Sequence, residues 1–444
     1  MPLPPASPPK ATVSLHPTAP TAAASLPTLA PDTLTAEQSD PATLGWMTGA
    51  PPAASQLIRF DTGDSYRFPQ LRWSFSHFRQ FGPTANVSRQ AAVPRMLPRA
   101  ERDDIDALPF TPLFAATPMT WAASLQANYT DGIVVLHRGR VVYERYFGAL
   151  KPHGQHIAMS VTKSFMGTLA ATLVTQAALD DQATVAHYVP ELAASGFATA
   201  TVRDLLDMTT AIQYSEDYAN PQAEIFDYVR AGNVAPRPAD YQGPDNFYAF
   251  MQSIRPQGDH GAAFAYKTIN TDVLAWVLRR ITGQTMTEYL STQLWAPLGM
   301  EQDAYFTIDN QGTEFTGGGL NTGLRDLARF GELMRNHGAL GNKQIIPSAV
   351  VADIQRGGDR EKFKSGGYVL LPGWSYRDMW WITHNAHGAY MARGVHGQAI
   401  YIDPLAEMVI ARYASHPIAA NAGLDPTSLP AYHALAQHLM ENPT

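Results

Sequence analysis

The 444-residue chain contains no cysteine. Disulfides, thiolate nucleophiles, cysteine-ligated zinc and iron–sulfur clusters are thereby excluded. No run approaches 18 consecutive apolar residues, so no membrane-spanning helix and no membrane partner is expected. Positive charge is also scarce: 32 Lys and Arg stand against 39 Asp and Glu, a net charge of −7, without a long basic run. Nucleic acid is held by concentrated basic charge, so no nucleic-acid partner is expected either. What is present, 45% hydrophobic and 16% charged residues, is the make-up of a soluble globular chain with a large core. The length would accommodate about two or three domains.

The opening stretch, MPLPPASPPKATVSLHPTAPTAAASLPTLAP, breaks any helix with proline and has little to bury. Residues 1–50 read as a disordered or surface-draped extension. The stretch has no charged segment leading into a continuous apolar run. That argues against a signal peptide and makes the cytoplasm the expected location. Further on, DGIVVLHRGRVVYERYFG (131–148) reads as a β-hairpin turning at 137–140. The proline-free run FMGTLAATLVTQAAL (165–179) reads as a helix. So do TVRDLLDMTTAI (201–212), with a threonine cap, NTDVLAWVLRRITG (270–283), with Gly283 as its stop, and GLRDLARFGELMRNHG (323–338). GQAIYIDPLAEMVIARYAS (397–415) is a second hairpin around Asp403-Pro404, and LPAYHALAQHLMEN (429–442) is a closing amphipathic helix. Strands at both ends and helices between them predict an α/β fold. Residues 51–164 and 331–444 would form an antiparallel sheet flanked by helices, with a mostly helical domain, 165–330, inserted. A cleft between the two parts is the natural place for a site.

The stretch HIAMSVTKSFMG (156–167) carries the chemistry. Ser160 and Lys163 stand three apart at a helix start, hence on one helix face. The helix N-terminus offers free N–H groups and positive potential. A half-buried lysine loses basicity by desolvation and can take the serine proton, while the Ser160 N–H can donate to the oxyanion formed on attack. The bland alternative is a helix start that happens to contain a lysine. A second match, Ser7 to Lys10, lies in the proline-rich extension, with no helix after it. Tyr266, in GAAFAYKTINTDVLAW (261–276), precedes another helix start; it either packs or serves as a proton shuttle, its ionisation favoured by a neighbouring ammonium. The Gly-rich GAYMARGVHGQAIYIDP (388–404) is either a plain turn or the source of a second oxyanion N–H. Trp380-Trp381 either wall a pocket or fill core. His384, His387 and His396 match no zinc spacing, so no metal and no cofactor is expected. GGG (317–319) reads as a tight turn at the cleft rim, and DREKFK (359–364) as a solvated loop.

Ser160-Val161-Thr162-Lys163, then Tyr266, then the Gly-rich strand follow the order of the serine β-lactamase and penicillin-binding superfamily. The chain resembles its class C β-lactamase-like esterases and, more closely, the nylon-oligomer hydrolases, over about residues 60–440. MSVTKS, YVPELA, YSEDYANP, NTDVLAW, RDLAR and HGQ carry the likeness. The resemblance implies a β-lactamase/transpeptidase-like fold and an acyl-enzyme mechanism. Ser160 would be the nucleophile, Lys163 its activator and Tyr266 the proton shuttle. Ser160 and Val395 would supply the oxyanion N–H groups, and Tyr218, Trp381 and His396 would contact substrate. Implied substrates are short carboxylic esters and linear amides such as 6-aminohexanoate oligomers, and the implied assembly is a homodimer. The family's Lys-Thr-Gly is replaced by Arg393-Gly394-Val395-His396-Gly397, and Thr268 stands where Tyr-x-Asn would place asparagine. Both changes argue against an efficient β-lactamase. Val229 falls where an acidic residue would meet a substrate's ammonium end, which favours ester over amide hydrolysis. The rival readings are a D-amino-acid peptidase or penicillin-recognising protein, and a non-catalytic binding protein on the same scaffold.

Overall fold

Two antiparallel sheets organise the chain in the computed structural model, which describes residues 27–442. In chain order the strands are β1 (Thr84–Val87), β2 (Thr130–His137), β3 (Arg140–Tyr146), β4 (Gln155–Ile157), β5 (Ala304–Thr307) and β6 (Leu320–Gly323), then β7 (Ser375–Arg377), β8 (Trp380–Ile382), β9 (Tyr390–Gly394), β10 (Gln398–Asp403) and β11 (Met408–Ala414). The larger sheet runs β7-β8-β9-β10-β11-β2-β3 and the smaller β1-β5-β6-β4. The helices that matter for the site are α1 (Val161–Thr175), α2 (Val202–Leu206), α3 (Glu224–Ala231), α4 (Ile269–Thr282), α5 (Leu324–Arg335) and α6 (Asp425–Glu441).

Both predicted hairpins form, and they lie side by side: β11 pairs with β2, Ile410 opposite Val135. The two ends of the chain thus share one sheet. Strands β2, β10 and β11 are buried along their whole length, so they read as apolar runs and not as alternating patterns. Helix α5 covers one face. Its Gly331 has no room for a Cβ, which would stand 2.6 Å from Val409 and 2.8 Å from Ile400. The boundary expected at residue 330 falls inside this helix. Helix α6 covers the other face, with Tyr432 against Tyr401. It begins four residues before the predicted start, with Pro426 in its first turn, where an amide proton is dispensable.

Helix α1 is buried almost throughout and has apolar neighbours on every side. Ser164 donates to Met379 O at 2.7 Å, and Trp380 donates through Nε1 to Thr168 at 3.1 Å, tying α1 to β8. Trp380 is therefore core. Thr201 and Asp204 form the capping box that starts α2, and Gly283, in the left-handed region at φ 68°, ends α4. Of the extension expected over 1–50, residues 1–26 lie outside the described residues. Residues 27–50 lie against the α/β part, held by Tyr129 Oη donating to Leu34 O at 2.7 Å and Asp40 capping a short helix, Pro41–Leu44. Among the described residues no helix is long and apolar enough to cross a membrane.

Candidate active site

Strand β4 leads straight into the site. Ile157 N donates to Phe75 O and Ala158 N to Leu320 O, so the chain is anchored up to residue 158. Met159 then takes a left-handed conformation, φ 47°, costly for a side chain of its kind and enough to turn the strand sharply. Thr162 Oγ1 donates to Met159 O at 2.6 Å and closes the turn. Ser160 is left at the N-terminus of α1, in the positive end of the helix dipole.

Lys163 reaches back from the first turn. Its Nζ is 2.8 Å from Ser160 Oγ, 3.0 Å from Thr268 Oγ1 and 2.5 Å from Gly317 O. The side chain is fully buried. Burial lowers its pKa from 10.5 to about 8, against the opposing pull of Glu216 and Asp272. Two of the three neighbours accept: Gly317 O, and Thr268 Oγ1, whose own proton is donated to Glu216. A neutral amine that satisfies both with its two N–H bonds points its lone pair at Ser160. Gly317 has no Cβ because one would meet Thr268 Cγ2 at 2.4 Å and Asp272 Oδ2 at 2.8 Å. Asp272 itself, buried and accepting from Thr316 and Gly317 N, is pushed up to about 6.

Tyr266 stands over this pair, its ring centroid 5.0 Å from Lys163 Nζ. The ring packs on Trp381 at 5.5 Å and Tyr376 at 6.1 Å. One expectation fails here. The phenol is not eased toward ionisation: burial, and then the Glu216 carboxylate, hold its pKa well above 10, against a smaller opposite effect of the Ser160 hydroxyl. At rest Tyr266 is a neutral proton donor, and Lys163 is the group that can act as base.

The end of β9 comes within contact of the same turn. A Cβ on Gly394 would stand 2.9 Å from Ala158 O and 3.0 Å from Met159, so only glycine lets the two segments approach. Val395 and Ser160 both line the cavity, and among the described residues neither backbone N–H has a protein acceptor. Two free donors beside one hydroxyl are what an oxyanion requires.

The cavity above Ser160 has a volume of about 450 Å³. Tyr218, the α3 residues Ile225, Phe226 and Val229, and the following Val234–Pro236 make one wall; Phe315 and Met159 close it. Among the described residues no Asp, Glu, Lys or Arg lines it. Asp227 on α3 is exposed and paired with Arg230. His396 lines the cavity with a neutral ring: its Nδ1 lies 2.7 Å from His416 O, and burial pushes its pKa down to about 4. Trp381 does not line it. It is buried behind Tyr266, with the Arg393 guanidinium 5.2 Å from its ring centroid, so its place is a support for the tyrosine and not a wall of the cavity. Arg393 is spent on Asp425, at 2.6 and 2.8 Å, and presents no cation to a substrate carboxylate. His384 and His387 have separate partners, Ser375 and Asp403.

Thr268, noted in the sequence only as a departure from Tyr-x-Asn, bonds Lys163, and Glu216, not singled out at all, accepts from the Thr268 hydroxyl, the Thr268 N–H and the Tyr218 hydroxyl. YSEDYANP contains Glu216, but its partner is 52 residues away in the chain, beyond the reach of any local pattern.

Comparison with known proteins points the same way. The family described as Beta-lactamase matches residues 124–425. A 6-aminohexanoate-dimer hydrolase of Paenarthrobacter ureafaciens is 35% identical over 351 residues, 79% of this chain and 86% of that protein. The solved structure of a proposed 6-aminohexanoate-dimer hydrolase from Bacillus anthracis superposes with a TM-score of 0.81 at 31% identity, covering 89% of this chain and all of that one. The octameric penicillin-binding protein homologue of Pyrococcus abyssi shares the fold, with a TM-score of 0.55 at 20% identity over 72% of this chain and 76% of its own.

Proposed function

The chain belongs to the Beta-lactamase family and is a hydrolase; from that premise we propose that it works through an acyl-enzyme on Ser160, with short carboxylic esters and linear amides such as 6-aminohexanoate oligomers as substrates. The observation that carries the proposal is the fully buried Lys163 amine, 2.8 Å from a serine hydroxyl at a helix N-terminus. In the proposed cycle Ser160 Oγ attacks the carbonyl carbon and its proton passes to neutral Lys163. The N–H groups of Ser160 and Val395 receive the oxyanion. Neutral Tyr266 gives its proton to the leaving oxygen or nitrogen and is reprotonated from the Lys163 ammonium. Water then attacks the acyl-enzyme by the reverse transfers.

An uncharged cavity favours an uncharged acyl chain. Charged ends of a 6-aminohexanoate oligomer find no counter-ion among the lining residues, so esters should be turned over faster than these amides. The test is a panel of p-nitrophenyl esters, 6-aminohexanoate oligomers and a chromogenic cephalosporin, run on wild type and Ser160→Ala. Steady p-nitrophenyl acetate turnover that the substitution abolishes is expected; equal rates in both proteins would end the hydrolase reading.

A further inference from the structure

Glu216 takes no part in the cycle above, yet it is the acceptor on which three donors converge. Its Oε1 accepts from the Tyr218 hydroxyl at 2.7 Å and the Thr268 hydroxyl at 2.6 Å, and its Oε2 accepts from Thr268 N–H. Thr268 has one hydroxyl proton, and Glu216 takes it. The remaining lone pairs of Thr268 Oγ1 are therefore presented to Lys163, 3.0 Å away. With Gly317 O accepting a second N–H, the free direction on the amine is the one toward Ser160.

We infer that Glu216 is the positioning residue of this site: it locks the Thr268 hydroxyl as an acceptor, so that the Lys163 lone pair faces Ser160, and through Tyr218 it ties that alignment to the cavity wall. The inference rests on the acyl-enzyme reading and adds a residue to it. An acceptor-only group is required, since a carboxylate can take donors on both oxygens and an amide on one. The charge has a second effect. Lys163 faces Glu216 from the loop before α3, Asp272 from α4 and the Tyr266 ring, and both carboxylates favour its ammonium. Around Glu216 stand Lys163, the buried phenols of Tyr214 and Tyr376, the half-buried phenols of Tyr266 and Tyr368, and the exposed Tyr218; loss of hydration at the hydroxyl raises all five above their ordinary range, hence neutral. Arg393 acts on Tyr266 and Tyr368 from the β9 side. Lys163 is thus the group whose titration a change at Glu216 moves.

The test compares Glu216→Gln and Thr268→Val in the full chain, using pH profiles of kcat/KM for p-nitrophenyl acetate, with Ser160→Ala alongside. Both substitutions should lower the plateau about tenfold or more. Only Glu216→Gln should also shift the acidic limb to lower pH, because it removes a negative charge that favours the Lys163 ammonium. Thr268→Val keeps the carboxylate and should leave the limb in place. Titration of Lys163 by NMR in the Ser160→Ala background gives the same shift without turnover. A plateau retained within about twofold in either variant, or a limb that stays put in Glu216→Gln, overturns the inference. Absence of any Ser160-dependent turnover in wild type would instead remove the hydrolase reading, and this inference with it.

Discussion

Replacing Lys163 with methionine keeps the unbranched apolar stem, one atom shorter, and removes the charge, and the consequence can be worked out against pH. Burial drops the lysine from 10.5 to about 8. At about 1.4 kcal/mol per pH unit this corresponds to about 3 kcal/mol. Below pH 8 the ammonium is present in folded and unfolded chains alike, and the folded state bears the whole penalty. Above 10.5 both are neutral and the penalty is gone. Between these limits only the unfolded chain binds the proton, so wild-type stability rises with pH. Lys163→Met has nothing to titrate at this position. Urea unfolding of both proteins at pH 7, 8, 9 and 10 should therefore show wild type gaining up to about 3 kcal/mol relative to the variant. Lys267, also lowered to about 8, and the buried tyrosines titrate in both proteins and cancel. The same group sets the rate. At pH 7 about one-tenth of the molecules carry neutral Lys163, so kcat/KM should rise about tenfold on the way to its alkaline plateau. A stability difference that stays flat across pH 7 to 10, or an acidic limb far from pH 8, would refute the assignment of Lys163 as the buried base.

Tyr266→Phe removes a hydroxyl that relays protons in both acylation and the attack of water on the acyl-enzyme; kcat should fall about a hundredfold while KM moves little, measured by steady-state kinetics on an alkyl ester, whose leaving group needs the proton. If KM alone changed, the phenol would be a binding group. Gly394→Ala forces a methyl to within 2.9 Å of Ala158 O and displaces the Val395 N–H, so kcat should drop about ten- to a hundredfold and thermal stability should fall with it; undiminished kcat in the folded variant would remove Val395 from the oxyanion site. Val229→Asp places a carboxylate on the apolar wall. The ratio of kcat/KM for the 6-aminohexanoate dimer to that for p-nitrophenyl butyrate should rise about tenfold, and an unchanged ratio would show that α3 does not meet the end of the chain.

The parts of the fold that were legible in the sequence are those with long, consistent local signals. The hairpin β2–β3 shows two β-branched runs about a glycine turn, and α1 shows an uninterrupted Ala/Leu-rich run. The smaller sheet was not legible. Its strands have three or four residues, and one of them, LNTG, has little strand preference of its own; pairing with β4 and β5 holds it extended. Ser160 and Lys163 were legible because helix geometry alone brings i and i+3 together. The ionisation of Tyr266 was misread because the motifs show the cation but not what surrounds the phenol, whose opposing burial comes from Trp381 and Tyr376, over a hundred residues further along. Trp381 looked like a wall for the same reason: adjacent aromatics say nothing about which side of a tyrosine they occupy. Glu216 reads as one more acid in a polar loop until the fold brings Thr268 to it.

The proposed reacting groups come from α1, the segment leading into α4 and the end of β9, while one wall of the cavity comes from the single stretch 218–236. Selectivity and reactivity are therefore carried by different pieces of chain. Variation confined to residues 225–236 of that stretch, clear of Tyr218 and its bond to Glu216, can change which molecules are accepted without disturbing the proposed nucleophile, its base or the oxyanion donors. A new preference is then only a few substitutions away, along a path on which bond cleavage persists at every step.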